Sequence, residues 1–404
     1  MAERADVPFQ SGTASGSVDP WHWTAVARAA DRRPALLVLL LAVAAAALAN
    51  RSGGPTDYVL FAKTGVALLH GDTTVFNNPQ IQTGPLSLVL MGLLHLISSA
   101  LGPFVDWFVL MALCALTAGC LVSAIRIAVP TPGERRGALT LVAVVTALAL
   151  RTLSFDDAHP SHPLIGLLWF LAARAARRDR PVLVGLLLAA AAGLDSWAVL
   201  GSGLLLLLPT ARARAKAAAV AGVLAGACWA PFALSGSFHM FQMRWLAAKG
   251  ALPALLFGPV PVPWSYRVLQ AAVVVAAGAA VAVLHGRDDD VAWLLPAVVV
   301  GTRIALDPLN FPYYATPLVT MLLVGLAVCA MRTKVLDPRS PDPVRGQLGP
   351  WVLLIPALLL PPVTGLLGGP PAAYGPAVVC MAGFTVLTRQ GRPARVLHRW
   401  HGSP

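Results

Sequence analysis

A lone carboxylate, Asp57, stands just where the first long apolar run gives way to a polar rim. It opens a stretch, Thr56-Asp57-Tyr58, that runs to His70-Gly71-Asp72 and closes on Gln82-Thr83-Gly84-Pro85. Ionisable groups beside or inside a bilayer are costly, so by default they mark a functional site. A carboxylate there can take a proton from a hydroxyl nucleophile, or it can simply cap a helix N-terminus. Three further groups hold polar chemistry at the ends of apolar runs: Asp156-Asp157-Ala158-His159-Pro160-Ser161-His162-Pro163, Asp195, and Arg303 with Asp307 and Tyr313-Tyr314. Two histidines with nearby carboxylates could ligate zinc or manganese. The proline after each histidine argues for a turn instead of a preformed ligand helix, so helix caps or sugar contacts are expected, with no cofactor and no metal.

The elements that must position these groups are membrane helices. The chain has 404 residues, of which 57% are hydrophobic and only 12% charged, against roughly a quarter charged in soluble domains. Apolar runs separated by short polar breaks leave no room for an independent soluble domain. The expected fold is an all-α polytopic membrane protein of about 12 transmembrane helices, with interfacial helices in the first extracytoplasmic loop. Residues 1–34 form a polar cytoplasmic leader expected to be disordered, 35–390 the membrane domain, and 391–404 a basic cytoplasmic tail. Ala47-Leu48-Ala49 resembles a signal-peptidase site, but the leader is long and a retained first span is expected. Cys114, Cys120, Cys228, Cys329 and Cys380 fall in apolar segments without CxxC spacing and read as buried thiols.

The net charge of +12 comes from short clusters between spans, such as Arg174, Arg177, Arg178 and Arg180, which is a topology signal and excludes a nucleic-acid footprint. Whether Gly84 to Ala100 crosses decides every downstream side. If it does not, 23 of the 30 basic residues fall inside and 7 outside; if it does, 9 fall inside and 21 outside. Lys and Arg favour cytoplasmic loops, so this run is expected to lie along the outer rim, with 51–103 as one extracytoplasmic loop. The same test divides 181–209 into two half-length helices meeting at Asp195, a candidate cavity wall.

Within the first loop Thr56-Asp57, Lys63-Thr64 and His70-Gly71 recur every seven residues around apolar positions, predicting an interfacial helix with a narrow polar stripe. The seven basic residues on the outer side are Arg51, Lys63, Arg151, Arg244, Lys249, Arg267 and Arg303. Snorkelling to headgroups explains any single one, whereas an anionic ligand would explain several together. The loop from Ser235 to Ser265 adds Phe238, Phe241, Trp245 and Trp264, which either anchor it at the interface or border a lipid groove.

The aspartate opening the first outer loop, the Gln82-Thr83-Gly84-Pro85-Leu86 segment, the Arg-rich inner loops and the Asp307-Pro308…Tyr313-Tyr314 pattern resemble the C-type glycosyltransferase superfamily. They are most similar to actinobacterial polyprenyl-phosphate-mannose-dependent mannosyltransferases. The resemblance spans about residues 35–335. It implies transfer of a sugar, mannose or another hexose or pentose, from a polyprenyl-phosphate donor to a glycolipid or glycan acceptor at the outer face of the plasma membrane. It places Asp57 as catalytic base, Asp156, Asp157 and His159 near the sugar, and Arg303 to Tyr314, with Asp307 and Tyr313, around donor and acceptor. Arg244, Lys249 and Lys63 join Arg303 as expected phosphate contacts. Where relatives often carry Lys before the Trp after the broken helix, this chain reads Leu194-Asp195-Ser196-Trp197, a reversal of charge. The competing expectation is a transporter or lipid flippase, for which broken helices and membrane charges are equally expected; a catalytically inactive scaffold relative is a third.

Overall fold

The computed structural model describes residues 56–130, 159–236, 238–248, 251–288, 290–309 and 312–332, together with scattered positions between 32 and 43. The expected spans near 138–152, 350–367 and 372–388, most of 35–50, the leader and the tail lie outside the described residues. All regular structure in the described chain is helical: α1 (Thr56–Leu69), α2 (Pro85–Ser98), α3 (Val105–Ala128), α4 (Ser161–Arg177), α5 (Pro181–Leu194), a 3₁₀ helix (Ser196–Leu207), α6 (Ala211–Leu234), α7 (Leu252–Phe257), α8 (Trp264–His285), α9 (Val291–Leu306) and α10 (Thr316–Arg332). Among the described residues, four segments are long and apolar enough to cross a membrane: Pro85–Gly102, Phe108–Ala128, Ala211–Leu234 and Trp264–His285.

The central core is built on α4, whose Ile165, Trp169 and Phe170 are fully buried against α3, α9, α10 and the 3₁₀ helix. Close backbone approach makes this packing possible. A side chain at Gly201 would meet the Trp169 indole at 2.4 Å, and one at Gly325 would meet Trp293 at 2.6 Å. In a bilayer, where lipid is as apolar as leucine, such small-residue contacts supply helix association by van der Waals packing.

The helices alternate in direction, so their termini gather at two ends. One end carries the starts of α4, α8 and α10 and the ends of α5, α6 and α9. The other carries the basic residues: Arg126 in the last turn of α3, Arg174 and Arg177 in that of α4, Arg180 before α5, and Arg212, Arg214 and Lys216 in the first turns of α6. There Arg177 Nη1 donates to the carbonyls of Gly286 and Asp288 at 2.8 and 2.9 Å, tying α4 to the α8–α9 turn.

The two half-length helices expected at 181–209 meet at Asp195, but they form a hairpin and the second arm is 3₁₀ in place of α. Its twelve residues rise about 2.0 Å each, which makes it slightly longer than the fourteen-residue α5 at about 1.5 Å each. Both arms therefore reach the basic end, where Leu207 lies beside Gly286.

The predicted polar-striped helix is α1, with Lys63 and His70 exposed. Its apolar face does not lie bare: Phe61 and Ala62 are buried, and Tyr58 and Gly65 pack antiparallel against α2. Gly65 lets the backbones touch, since a side chain there would stand 2.0 Å from the Leu88 carbonyl. The Tyr58 hydroxyl bonds His95 Nδ1 and Ser98 Oγ, each at 3.1 Å. Length and apolarity would let the α2 segment cross a bilayer, yet both its ends contact the same end of the bundle, Gly84 at Leu194 and Ser98 at Tyr58. Between α1 and α2 a short 3₁₀ turn, Thr73–Asn77, is capped by Asp72. The Thr74 hydroxyl and amide hold the Asp72 carboxyl below its usual range.

Candidate active site

The Gln82-Thr83-Gly84-Pro85 segment is the clamp that holds the hairpin tip. Thr83 pairs with Asp195 in an isolated antiparallel bridge, the Gly84 amide donates to the Leu194 carbonyl at 2.9 Å, and Ser87 Oγ donates to the same oxygen at 2.6 Å. Only glycine fits at position 84, because a side chain would lie 2.2 Å from the Gly193 carbonyl. The Leu194 carbonyl would otherwise be an unpaired C-terminal helix acceptor, so the clamp satisfies it and leaves the Asp195 side chain facing the interior. Trp245 Nε1 donates to Gln82 Oε1 at 3.2 Å and draws the aromatic outer loop against the same segment.

Between these elements lies a cavity of about 750 Å³, lined by Asp57, His159, His162, Asp195, Trp197, Arg267, Arg303, Tyr313 and Tyr314 among others. Asp57, in the first turn of α1, has a side chain 38% exposed, and His159 Nε2 donates to its Oδ2 at 3.1 Å. Its Oδ1 makes no hydrogen bond among the described residues. His159 stacks on Tyr313 with ring centres 3.9 Å apart and planes 17° apart, so the donor cannot swing away without breaking the stack.

In the same cavity Arg303 is held between two rings, 4.4 Å from the Trp197 centroid and 4.3 Å from that of Tyr314. Its Nη2 lies 3.4 Å from Asp307 Oδ2, and Arg267 Nη1 lies 3.3 Å from Asp307 Oδ1. Two guanidinium groups thus share one buried carboxylate, leaving a net positive charge at this wall, and Arg303 Nη1 has no hydrogen-bond partner among the described residues. Asp195 lines the same cavity.

Of the expected site residues the structure brings Asp57, His159, Arg303 and Tyr313 into one cavity, with Asp307 beneath it. Lys63 and Arg244 are exposed and are not among the residues lining the cavity. Asp156, Asp157 and Lys249 lie outside the described residues. The expectation of a turn at His159–Pro163 is corrected: α4 begins at Ser161, with Pro160 as its N-cap and Pro163 in its first turn. A proline there costs nothing, because the first amides of a helix have no intrahelical partner. Among the described residues no group of three potential metal ligands gathers.

Three lining residues went unassigned in the sequence: His162, Trp197 and Arg267. Arg267 was signalled, being one of the cations that defied the inside bias. His162 lies in the first turn of α4 and His159 just before its N-cap, so only the folded structure brings their rings to 5.3 Å.

No known protein family, curated protein or solved structure matches this chain. The functional reading rests on the chemistry of the cavity.

Proposed function

We propose that this protein is a membrane glycosyltransferase. It moves a hexose or pentose, with mannose the first expectation, from a polyprenyl-phosphate donor to a lipid or glycan acceptor at the extracytoplasmic face, and inverts the anomeric centre. The observation that carries the reading is that Asp57 lines the same cavity as Arg303 and Arg267, the two cations held by Asp307. The resemblance in the sequence supports it at the same residues. So does the gathering of the basic clusters at the far end of the bundle, which orients the cavity outward under the inside bias of Lys and Arg. The same reading completes the membrane domain to about 12 spans in the plasma membrane.

In this mechanism the acceptor hydroxyl attacks the anomeric carbon as Asp57 removes its proton, a general-base contribution of about 10²- to 10⁴-fold. The bond between that carbon and the phosphate oxygen breaks, and its electron pair goes to the leaving phosphate. The net positive wall at Arg303 and Arg267 stabilises that charge in a partly dehydrated space. His159 holds Oδ2 so that Oδ1 points to the incoming hydroxyl.

The test is transfer of radiolabelled sugar from a polyprenyl-phosphate-sugar by the purified protein in proteoliposomes. Wild-type transfer with none in Asp57→Asn, which still binds donor, is expected. Movement of intact lipid across the bilayer without transfer would favour the flippase reading.

A further inference from the structure

His162 is 1% exposed, yet neither of its ring nitrogens has a hydrogen-bond partner among the described residues. It lines the cavity, and aromatic packing fixes it there. Its plane lies 20° from that of Trp197 at 5.8 Å, and its ring packs against His159 at 5.3 Å, Tyr313 at 5.2 Å and Tyr314 at 5.8 Å. Buried polar groups are nearly always satisfied, because an unmade hydrogen bond leaves the full desolvation penalty. Packing on four rings holds it in place, so its partner must come to it from the cavity. If packing were its only role, phenylalanine would fill the same space without that penalty.

The chemistry of the missing partner follows from the inventory of the ring. A neutral imidazole offers one donor and one acceptor. A phosphate or carboxylate oxygen only accepts, and satisfying both nitrogens with it would require a second cation beside Arg303. A hydroxyl both donates and accepts, so sugar hydroxyls can bond the neutral ring at whichever nitrogen they reach, in either tautomer. His162 packs on His159, the residue that holds Asp57, and on Trp197 and Tyr314, the rings that flank Arg303, so a group bound there lies near both the carboxylate and the cation.

We infer that His162 is a binding residue for the hydroxyl groups of a glycosyl ligand, and that it reads the sugar independently of the phosphate. This rests on the reading of the cavity as a polyprenyl-phosphate-sugar site, but its signature is affinity and not turnover.

The experiment compares binding of a short-chain polyprenyl phosphate, with and without a hexose on the phosphate, to the purified full-length protein in nanodiscs. Wild type is expected to prefer the hexosyl lipid by on the order of ten-fold. His162→Phe should lose that preference, bind the bare phosphate as wild type does, and melt at the same or a higher temperature. His162→Gln, which keeps a donor and an acceptor, should retain most of the preference. Full preference in His162→Phe overturns the inference. So does a fall in its melting temperature or a failure to fold, since removing an unpartnered polar group should not weaken the fold. If wild type binds neither lipid, the glycosyltransferase reading falls and takes the inference with it. If the preference depends on His162 but Asp57→Asn still transfers sugar, only the role of Asp57 falls.

Discussion

His159 Nε2 donates to Asp57 Oδ2 at 3.1 Å, joining the start of α4 to the start of α1 across 102 residues of sequence. A single directed donor of this kind orients a carboxylate without neutralising it, and the Tyr313 stack holds the donor in turn. Asp57 is therefore more than the helix cap its position in the first turn of α1 would allow.

Replacing His159 should separate chemistry from binding. In His159→Phe we expect kcat to fall by roughly ten-fold or more while KM for the donor stays within about two-fold, since only the orientation of the base is lost. His159→Gln, which can still donate, should recover part of the rate. Equal losses in kcat and KM, or no loss, in steady-state transfer assays would rule out the positioning role.

The cation wall should answer to charge. Arg303→Ala removes the residue between Trp197 and Tyr314 and should weaken donor binding by about 1.5–3 kcal/mol, the usual worth of a charged hydrogen bond. Asp195→Asn should act in the opposite sense and tighten donor binding, because an ionised carboxylate lining the cavity opposes an incoming phosphate. Equilibrium binding of bare polyprenyl phosphate checks both, and an affinity that falls in Asp195→Asn would show that this carboxylate serves the site in another way.

Asp307 should matter more to stability than to chemistry. It is 1% exposed and shared by Arg267 and Arg303, so Asp307→Ala leaves two cations without their counter-charge. We expect a loss of about 3–5 kcal/mol, seen as a markedly lower unfolding temperature in detergent. An unchanged unfolding temperature would mean that water or lipid compensates the pair.

Gly84→Val should detach the loop clamp from the hairpin tip. The new side chain would collide with the Gly193 carbonyl, and the Gly84 to Leu194 hydrogen bond would part. Destabilisation of about 1–3 kcal/mol is expected, together with loss of sugar transfer as Asp195 shifts. Thermal unfolding and transfer measured on the same sample check whether the two losses travel together.

Much of the architecture was legible because membranes punish exceptions. Apolar run length, the basic clusters and the lone carboxylates predicted an all-helical membrane chain, a break at Asp195, a helix opening at Asp57 and a shared side for Asp57, His159, Arg303 and Asp307. The charge count also predicted that 84–100 would lie along the rim; the segment has the length and apolarity to cross, while Gly84 bonds Leu194 at one of its ends and Ser98 bonds Tyr58 at the other. The span count of about 12 was not reached within the described residues, where four segments have the length and apolarity to cross.

What the sequence by itself determined is therefore the solvent each segment prefers, because the cost of placing a charge in hydrocarbon is written in residue types and run lengths. Only the tertiary structure decided which polar groups meet. The His159 contact to Asp57, the sharing of Asp307 by Arg267 and Arg303, and the unpartnered His162 ring depend on how helices far apart in sequence pack side by side. That packing is set by close contacts at Gly65, Gly84 and Gly201. Lipid offers no apolar gain for bringing one helix against another, so association depends on the fit of small residues into specific neighbours. That fit is a property of paired surfaces and not of any one segment.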